Sequence, residues 1–173
     1  ERSKPAVAFA GKYRLIEEIG RGGMGVVYKA EHVRIPKLYA IKFIKREAIA
    51  DSELNKRFRR EATIISSLGH PNIVQVFDFD VEDGSEPYIV MEFLEGASLQ
   101  ERIDRGGLSV ASALRIAIDL ADALSALHQG GIVHRDLKPQ NIILTRHGDR
   151  DDFPKIMDFG ISKALDSTTD LTK

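Results

Sequence analysis

Cysteine is missing from all 173 residues, so no disulfide framework holds this chain and no thiolate can ligate zinc. Net charge is almost missing as well, with 25 Lys and Arg against 26 Asp and Glu, a balance of -1. No bulk field therefore marks the chain for nucleic acid or another polyanion. Long apolar runs are also lacking. None approaches the ~18 residues of a spanning helix, and the opening "ERSKPAVAFAGKYRL" has no signal-peptide core. No membrane span is expected within these residues, and an anchor outside them stays open. A cytoplasmic setting is expected, since a chain without cysteine fits a reducing compartment. No internal repeat is found, and only the Ser-, Thr- and Asp-rich tail is biased in composition. What is present is 43% hydrophobic content, enough to pack one ordinary domain or a little more.

Three strand-like runs come first, "YRLIEEI", "VVYKAEH" and "LYAIKFIK", separated by a glycine-rich turn and by "RIPK". From Asp51 or Ser52, either a fit helix cap, Leu54, Phe58, Ala62, Ile65 and Leu68 recur at three- and four-residue steps until Gly69 and Pro71 end them. This predicts one amphipathic helix. Two further strands, "NIVQVFDF" and "PYIVMEFL", flank the polar turn "EDGSE", and Glu95 with Gly96 reads as an exit linker. A helix then runs from Ser109 to about Gln129, apolar around most of its circumference, which asks for partners on several sides. "HRDLKPQN" follows, then a short hairpin of "IILT" and "PKIM" joined by the charged loop "RHGDRDD", then "DFG".

"GRGGMGVV" places glycines at 20, 22 and 25, a spacing that lets backbone lie close over phosphates. Taken alone it is equally a flexible hairpin turn. A dinucleotide-binding unit is disfavoured, because it needs a helix directly after the glycines and "VVYKAEH" is strand-like. Strand alternation puts Lys42 on one face with Leu38, Ala40 and Ile44. A lone lysine there could simply snorkel at a strand end. Helical periodicity, however, sets Glu61 among Leu54, Ile65 and Leu68, and a carboxylate in an apolar stripe needs a cation. Lys42 is the natural partner, the alternative being a Glu61 at the stripe's edge with its head in water. In "HRDLKPQN", Asp136 and Asn141 stand five residues apart, with Asp158 further on. A hard Mg²⁺ bound to phosphate oxygens suits one carboxylate and one side-chain amide, here Asp158 and Asn141, which leaves Asp136 to face an incoming nucleophile. Each residue alone has a plain structural use: His134 in a core, Asp136 as a turn cap, Asn141 in a turn, Asp158 in a loop. Their joint occurrence in this order does not.

The ordered set "GRGGMGVV", "YAIK", "REA", "HRDLKPQN" and "DFG" resembles the eukaryotic-like (Hanks-type) protein kinases, and the likeness runs over residues 13 to 173. The resemblance implies an α+β, bilobal kinase-like fold. Residues 1–12 would be an N-terminal extension and 13–94 a small lobe with a five-stranded antiparallel sheet and one helix. Residues 95–173 would be part of a mainly helical large lobe ending in the activation segment. It implies ATP and Mg²⁺ as cofactors and protein substrates with Ser or Thr acceptors, with a kinase dimer or an activating partner as further expectations. Gly20, Gly22 and Gly25 would cover the ATP phosphates. Lys42, positioned by Glu61, would hold the α- and β-phosphates, and Asp136 would orient the acceptor hydroxyl. Asn141 and Asp158 would bind Mg²⁺. Met91, Glu92 and Leu94 would form the hinge against adenine, with Ile19, Val27, Ala40 and Ile143 around the base. Lys138 resembles the serine/threonine branch, where this lysine contacts the transferred phosphate, and it disfavours the aminoglycoside-kinase relatives. Arg135 before Asp136 resembles kinases switched on by activation-loop phosphorylation, which makes Thr168, Thr169 and Thr172 the acceptor candidates. "RFRREA" and "HPNIV" are similar to bacterial members. The family's large lobe continues past "DFG", so a fragment is expected, or a half-kinase completed by a partner. A non-catalytic ATP-binding or interaction module and a small-molecule phosphotransferase are the alternatives.

Overall fold

The computed structural model describes residues 9, 11–23, 25–45, 52–80 and 87–158, with the side chains of 52, 54 and 57 left aside. In chain order the elements are β1 (Tyr13–Gly22), β2 (Gly25–His32), β3 (Leu38–Ile44), α1 (Ser52–Leu68), β4 (Val76–Asp80) and β5 (Tyr88–Glu92). Then come β6 (Gly96–Ser98), α2 (Leu99–Asp104), α3 (Val110–Gln129), a 3-10 turn (Pro139–Asn141), β7 (Ile142–His147) and β8 (Arg150–Ile156). The chain forms two compact units, residues 1–48 with 76–93 and residues 49–75 with 94–173. This is the bilobal α+β, kinase-like architecture with a five-stranded sheet that the sequence leads one to expect. No helix among the described residues is long and apolar enough to cross a membrane.

In the first unit the strands lie in the order β1-β2-β3-β5-β4, every neighbouring pair antiparallel. β-branched and aromatic residues fill them, as a pleated and half-buried surface favours. Tyr39 and Ile41 alternate to one face and join Tyr13, Ala30, Tyr88 and Val90 in a buried cluster. Phe9, just ahead of β1, completes it, its ring edge-on to Phe43 and Tyr88 at 4.8 Å in both cases. Such aromatic pairs add about 0.5–1.5 kcal/mol beyond the area they bury. β1 and β2 run further toward the hairpin tip than the glycines suggest. Gly20 pairs with Val27 and Gly22 with Gly25, so the expected glycine turn is mostly strand.

α1 follows the predicted spacing, with Phe58, Ala62 and Ile65 buried. The expected strand 72–79 begins only at Val76. Residues 72–74 instead bond along β8 in the second unit: Ile156 donates to the Asn72 carbonyl at 2.8 Å, and Val74 donates to that of Ile156 at 2.9 Å. An apolar run does not by itself say which strand it will lie against.

Of Glu95 and Gly96, expected as a linker, Gly96 belongs to a strand, and a short helix that the sequence reading did not assign follows it. Gly96 opens β6 beside β7, and a Cβ at this position would run into the backbone carbonyl of Leu144. Ser98 then caps α2 in a closed box, its hydroxyl accepting from the Glu101 amide at 3.1 Å while Glu101 Oε2 accepts from the Ser98 amide at 2.7 Å. The spacing Ser-x-x-Glu is a readable start signal for a helix. α3 begins at the Ser109 cap and stops at Gly130, as the periodicity predicts. Ile116, Ala123 and Leu127 are buried, and Ile116 packs with Ile142 and Leu144. The opposite stripe, Val110, Leu114 and Ile118, is 78%, 60% and 68% exposed. The expected charged loop 146–152 is also strand. His147 pairs with Arg150 around a turn at Gly148 and Asp149, and Arg150 reaches Asp119 on α3 at 2.8 Å.

Candidate active site

"HRDLKPQN" folds as a short loop whose polar groups satisfy one another. His134 is 2% exposed. Its Nε2 lies 3.1 Å from the Met157 carbonyl, which can only accept, and its Nδ1 lies 3.3 Å from the Asp136 amide, which can only donate. Only the neutral tautomer carrying its proton on Nε2 satisfies both. Burial pushes the His134 pKa below its ordinary value, in agreement with that form. The histidine is thus a clasp between the loop and the end of β8.

Asn141, also buried, makes a second clasp. Its Nδ2 donates to the Asp136 carbonyl at 2.9 Å and to Asp136 Oδ2 at 3.2 Å. Its own carbonyl accepts from the Met157 amide at 2.9 Å. Lys138 Nζ stands 2.9 Å from Asp136 Oδ2. One carboxylate oxygen of Asp136 is therefore held by an amide and an ammonium, and the carboxylate as a whole is fixed without being sealed off. Arg135 and Asp158 are the described non-glycine residues with positive φ, at 60° and 53°. Such backbone costs on the order of 1 kcal/mol or more and persists where surrounding contacts enforce it. Here the enforcing contacts are those of His134 and Asn141 with Met157.

The donor set suits a hard cation. With Nδ2 committed to Asp136, the Asn141 Oδ1 is left over as an acceptor, and among the described residues it accepts no hydrogen bond. Asp158, one residue beyond Met157, supplies a half-buried carboxylate. Oxygen donors of these two kinds fit Mg²⁺.

In the first unit the strand register gathers the other candidates. Val27 faces Lys42 across β2 and β3, and Ala40 faces Met91 across β3 and β5, so all four share the face opposite Tyr39, Ile41 and Phe43. Ala40 and Met91 are buried, Val27 and Lys42 half-buried, and Ile19 is 45% exposed on β1. Glu92 ends β5 and is half-buried. The three glycines have different reasons. A Cβ on Gly25, whose φ is 155°, would strike the Phe43 carbonyl, so the hairpin itself demands glycine there. A Cβ on Gly22 would meet nothing within 4 Å among the described residues, and one on Gly20 only Val27 at ordinary contact distance. The fold does not require those two, and their bare backbone leaves room for a bulky anion to approach.

A family model described as "Protein kinase domain" matches residues 13–173. The chain belongs to the protein kinase family. Among curated proteins, the kinase is 44% identical over 161 residues to the serine/threonine-protein kinase PrkC of Bacillus subtilis, covering 92% of this chain and 24% of PrkC. It is 43% identical over 157 residues to the serine/threonine-protein kinase Pkn1 of Myxococcus xanthus, covering 91% of this chain and 22% of Pkn1. The chain thus spans about a quarter or less of these relatives. Among solved structures it matches the kinase domain of Mycobacterium tuberculosis PknI with a TM-score of 0.75 at 34% identity, over 90% of this chain and 61% of that one. Rad53, solved with AMP-PNP, matches with a TM-score of 0.75 at 32% identity, over 87% of this chain and 38% of that one. The kinase sits with bacterial Hanks-type serine/threonine members of the family.

The remaining candidates lie in the second unit or outside the described residues. Leu94 and Ile143 are half-buried, Ile143 on β7 between Ser98 and Lys155. Glu61, half-buried on α1, lines a cavity of about 220 Å³ together with Arg60, Ile64 and Arg135. Thr168, Thr169 and Thr172, like the Phe-Gly of "DFG", fall outside the described residues. Sequence reasoning passed over Met157, whose two backbone groups anchor both clasps. No side-chain pattern marks such a role, because the backbone alone performs it.

Proposed function

We propose that these residues are the nucleotide-binding and catalytic part of an ATP-dependent protein serine/threonine kinase. The observation that carries this reading is the Asp136 carboxylate, held by Asn141 Nδ2 and Lys138 Nζ beside the unengaged Asn141 Oδ1. In the proposed reaction the acceptor hydroxyl oxygen bonds to the γ-phosphorus of ATP as the bond to the β-phosphate bridging oxygen breaks. Asp136 orients the hydroxyl and takes its proton, and Lys138 offsets negative charge on the transferred group. Asn141 and Asp158 would hold Mg²⁺, which neutralises phosphate charge when bound. Gly20, Gly22 and Gly25 would lie over the phosphates, and Lys42 would hold the α- and β-phosphates. Ile19, Val27, Ala40 and Ile143 pack around adenine, with Met91, Glu92 and Leu94 as its hinge. The match to Rad53, solved with the ATP analogue AMP-PNP, supports the nucleotide. Lys138 and the serine/threonine relatives support Ser and Thr acceptors on proteins. Phosphate on Thr168, Thr169 or Thr172 would find a cation in Arg135.

Transfer of labelled γ-phosphate to a generic Ser/Thr protein substrate by the full-length protein is the test. Asp136→Asn should lower the rate by about 10²–10⁴-fold while ATP binding persists. Equal transfer by the variant would remove Asp136 from the chemistry and the reading with it.

A further inference from the structure

The first unit carries an open groove of about 470 Å³ on its sheet, lined by Phe9, Leu15, Val26 and Phe43. Val26 and Phe43 are register partners that alternate away from Lys42, so the groove lies on the face opposite that lysine. Phe9 shows what this surface accepts, since its ring sits edge-on against Phe43 and Tyr88. Among the described residues that line it, the charged ones are both cationic, Arg21 and Lys45, and none is acidic. Glu18 already holds Arg21 through hydrogen bonds of 2.8 and 2.6 Å. Lys45 forms no ion pair among the described residues. The chain's own leading residues, "ERSKPAVA", carry Arg2 and Lys4 against Glu1, so their charge matches the rim in sign and does not complement it. An acidic segment is attracted by the rim.

We propose that this groove docks an acidic peptide segment of a partner protein, an aromatic side chain seated beside Phe9 and Phe43 and a flanking carboxylate on Lys45. Gly25 and Val26 belong to both the groove and the glycine hairpin, so an occupant stiffens that hairpin from behind. This consequence rests on the kinase reading, whereas the docking does not, and docking is measured without nucleotide.

Titration calorimetry of the full-length protein with an acetylated Glu-Asp-Phe-Glu-Asp peptide tests the proposal. Saturable binding is expected, weakened about tenfold when the peptide's Phe becomes Ala or its acidic residues become Lys. Lys45→Glu should weaken it by a similar factor with an unchanged melting temperature, and Leu15→Glu blocks the groove from its apolar side. Absence of saturable binding, equal binding of the three peptides, or undiminished affinity of Lys45→Glu would each overturn the proposal. Binding that emerges only after residues 1–8 are removed would overturn it too, by assigning the groove to the chain's own leader.

Discussion

The glycine hairpin and the "HRDLKPQN" loop both hold candidate site residues, and they prepare a site by opposite means. At Gly20 and Gly22 the chain withholds side chains, and a Cβ on Gly22 would meet nothing within 4 Å among the described residues. At residues 134–141 it crowds them, and His134, Asp136, Lys138 and Asn141 are tied together within 2.9 to 3.3 Å. A bare backbone can approach a ligand closely but specifies little by itself. A satisfied polar cluster specifies geometry, and it is costly to disturb because every lost partner leaves a buried group without compensation. The difference teaches that sensitivity to mutation should be chemical in the loop and steric in the hairpin.

The largest effect expected on that contrast comes from Asn141→Leu, which removes both donations to Asp136 and the side-chain oxygen. Phosphotransfer should fall by about 10²–10³-fold, read in the same labelled-phosphate assay. A fall of only a few-fold would mean that Lys138 alone fixes Asp136.

Gly25→Ala and Gly22→Ala separate structural from functional glycine within one hairpin. The first should lose about 3 kcal/mol in urea unfolding, through collision with the Phe43 carbonyl. The second should stay within about 0.5 kcal/mol while weakening ATP binding. Equal stability losses would erase the distinction.

His134 gives the loop a pH signature. Its folded pKa lies below its ordinary value of 6.5, so the folded state prefers the neutral ring. The resulting stability is fully present above 6.5 and is lost as pH falls from there toward the folded pKa, because the unfolded chain takes up the proton first. The slope should reach at most about 1.4 kcal/mol per pH unit. His134→Gln should flatten this part of the profile, and an unchanged slope would place the acid sensitivity elsewhere.

The smallest effect belongs to a charge cluster outside the contrast. Arg150 bonds to Asp119 and, at 3.4 Å, to Asp152, but its side chain is 34% exposed and screened by water. Arg150→Ala should cost about 0.5–1 kcal/mol, diminishing with added salt.

The local elements were legible because their signals are local. The period of Phe58, Ala62 and Ile65, the Ser109 cap and the alternation around Lys42 each survive into the fold. β6 and α2 were hidden behind a glycine read as a linker, although the capping box at Ser98 was there to find. The charged tip of the β7–β8 hairpin read as loop, because its strand character comes from pairing across the turn and from Asp119 on a distant helix.

By itself the sequence determined the family, the identities of the residues that can do chemistry and the spacing of most elements, since each is written in contiguous residue types. Only the tertiary structure decided that Ile73 and Val74 lie along β8, that Met157 anchors both clasps through its backbone, and that Gly25 is glycine for the sake of Phe43. Each of these depends on backbone groups brought together from distant positions. Backbone groups are the same at nearly every residue, so no pattern of side chains announces which of them will meet.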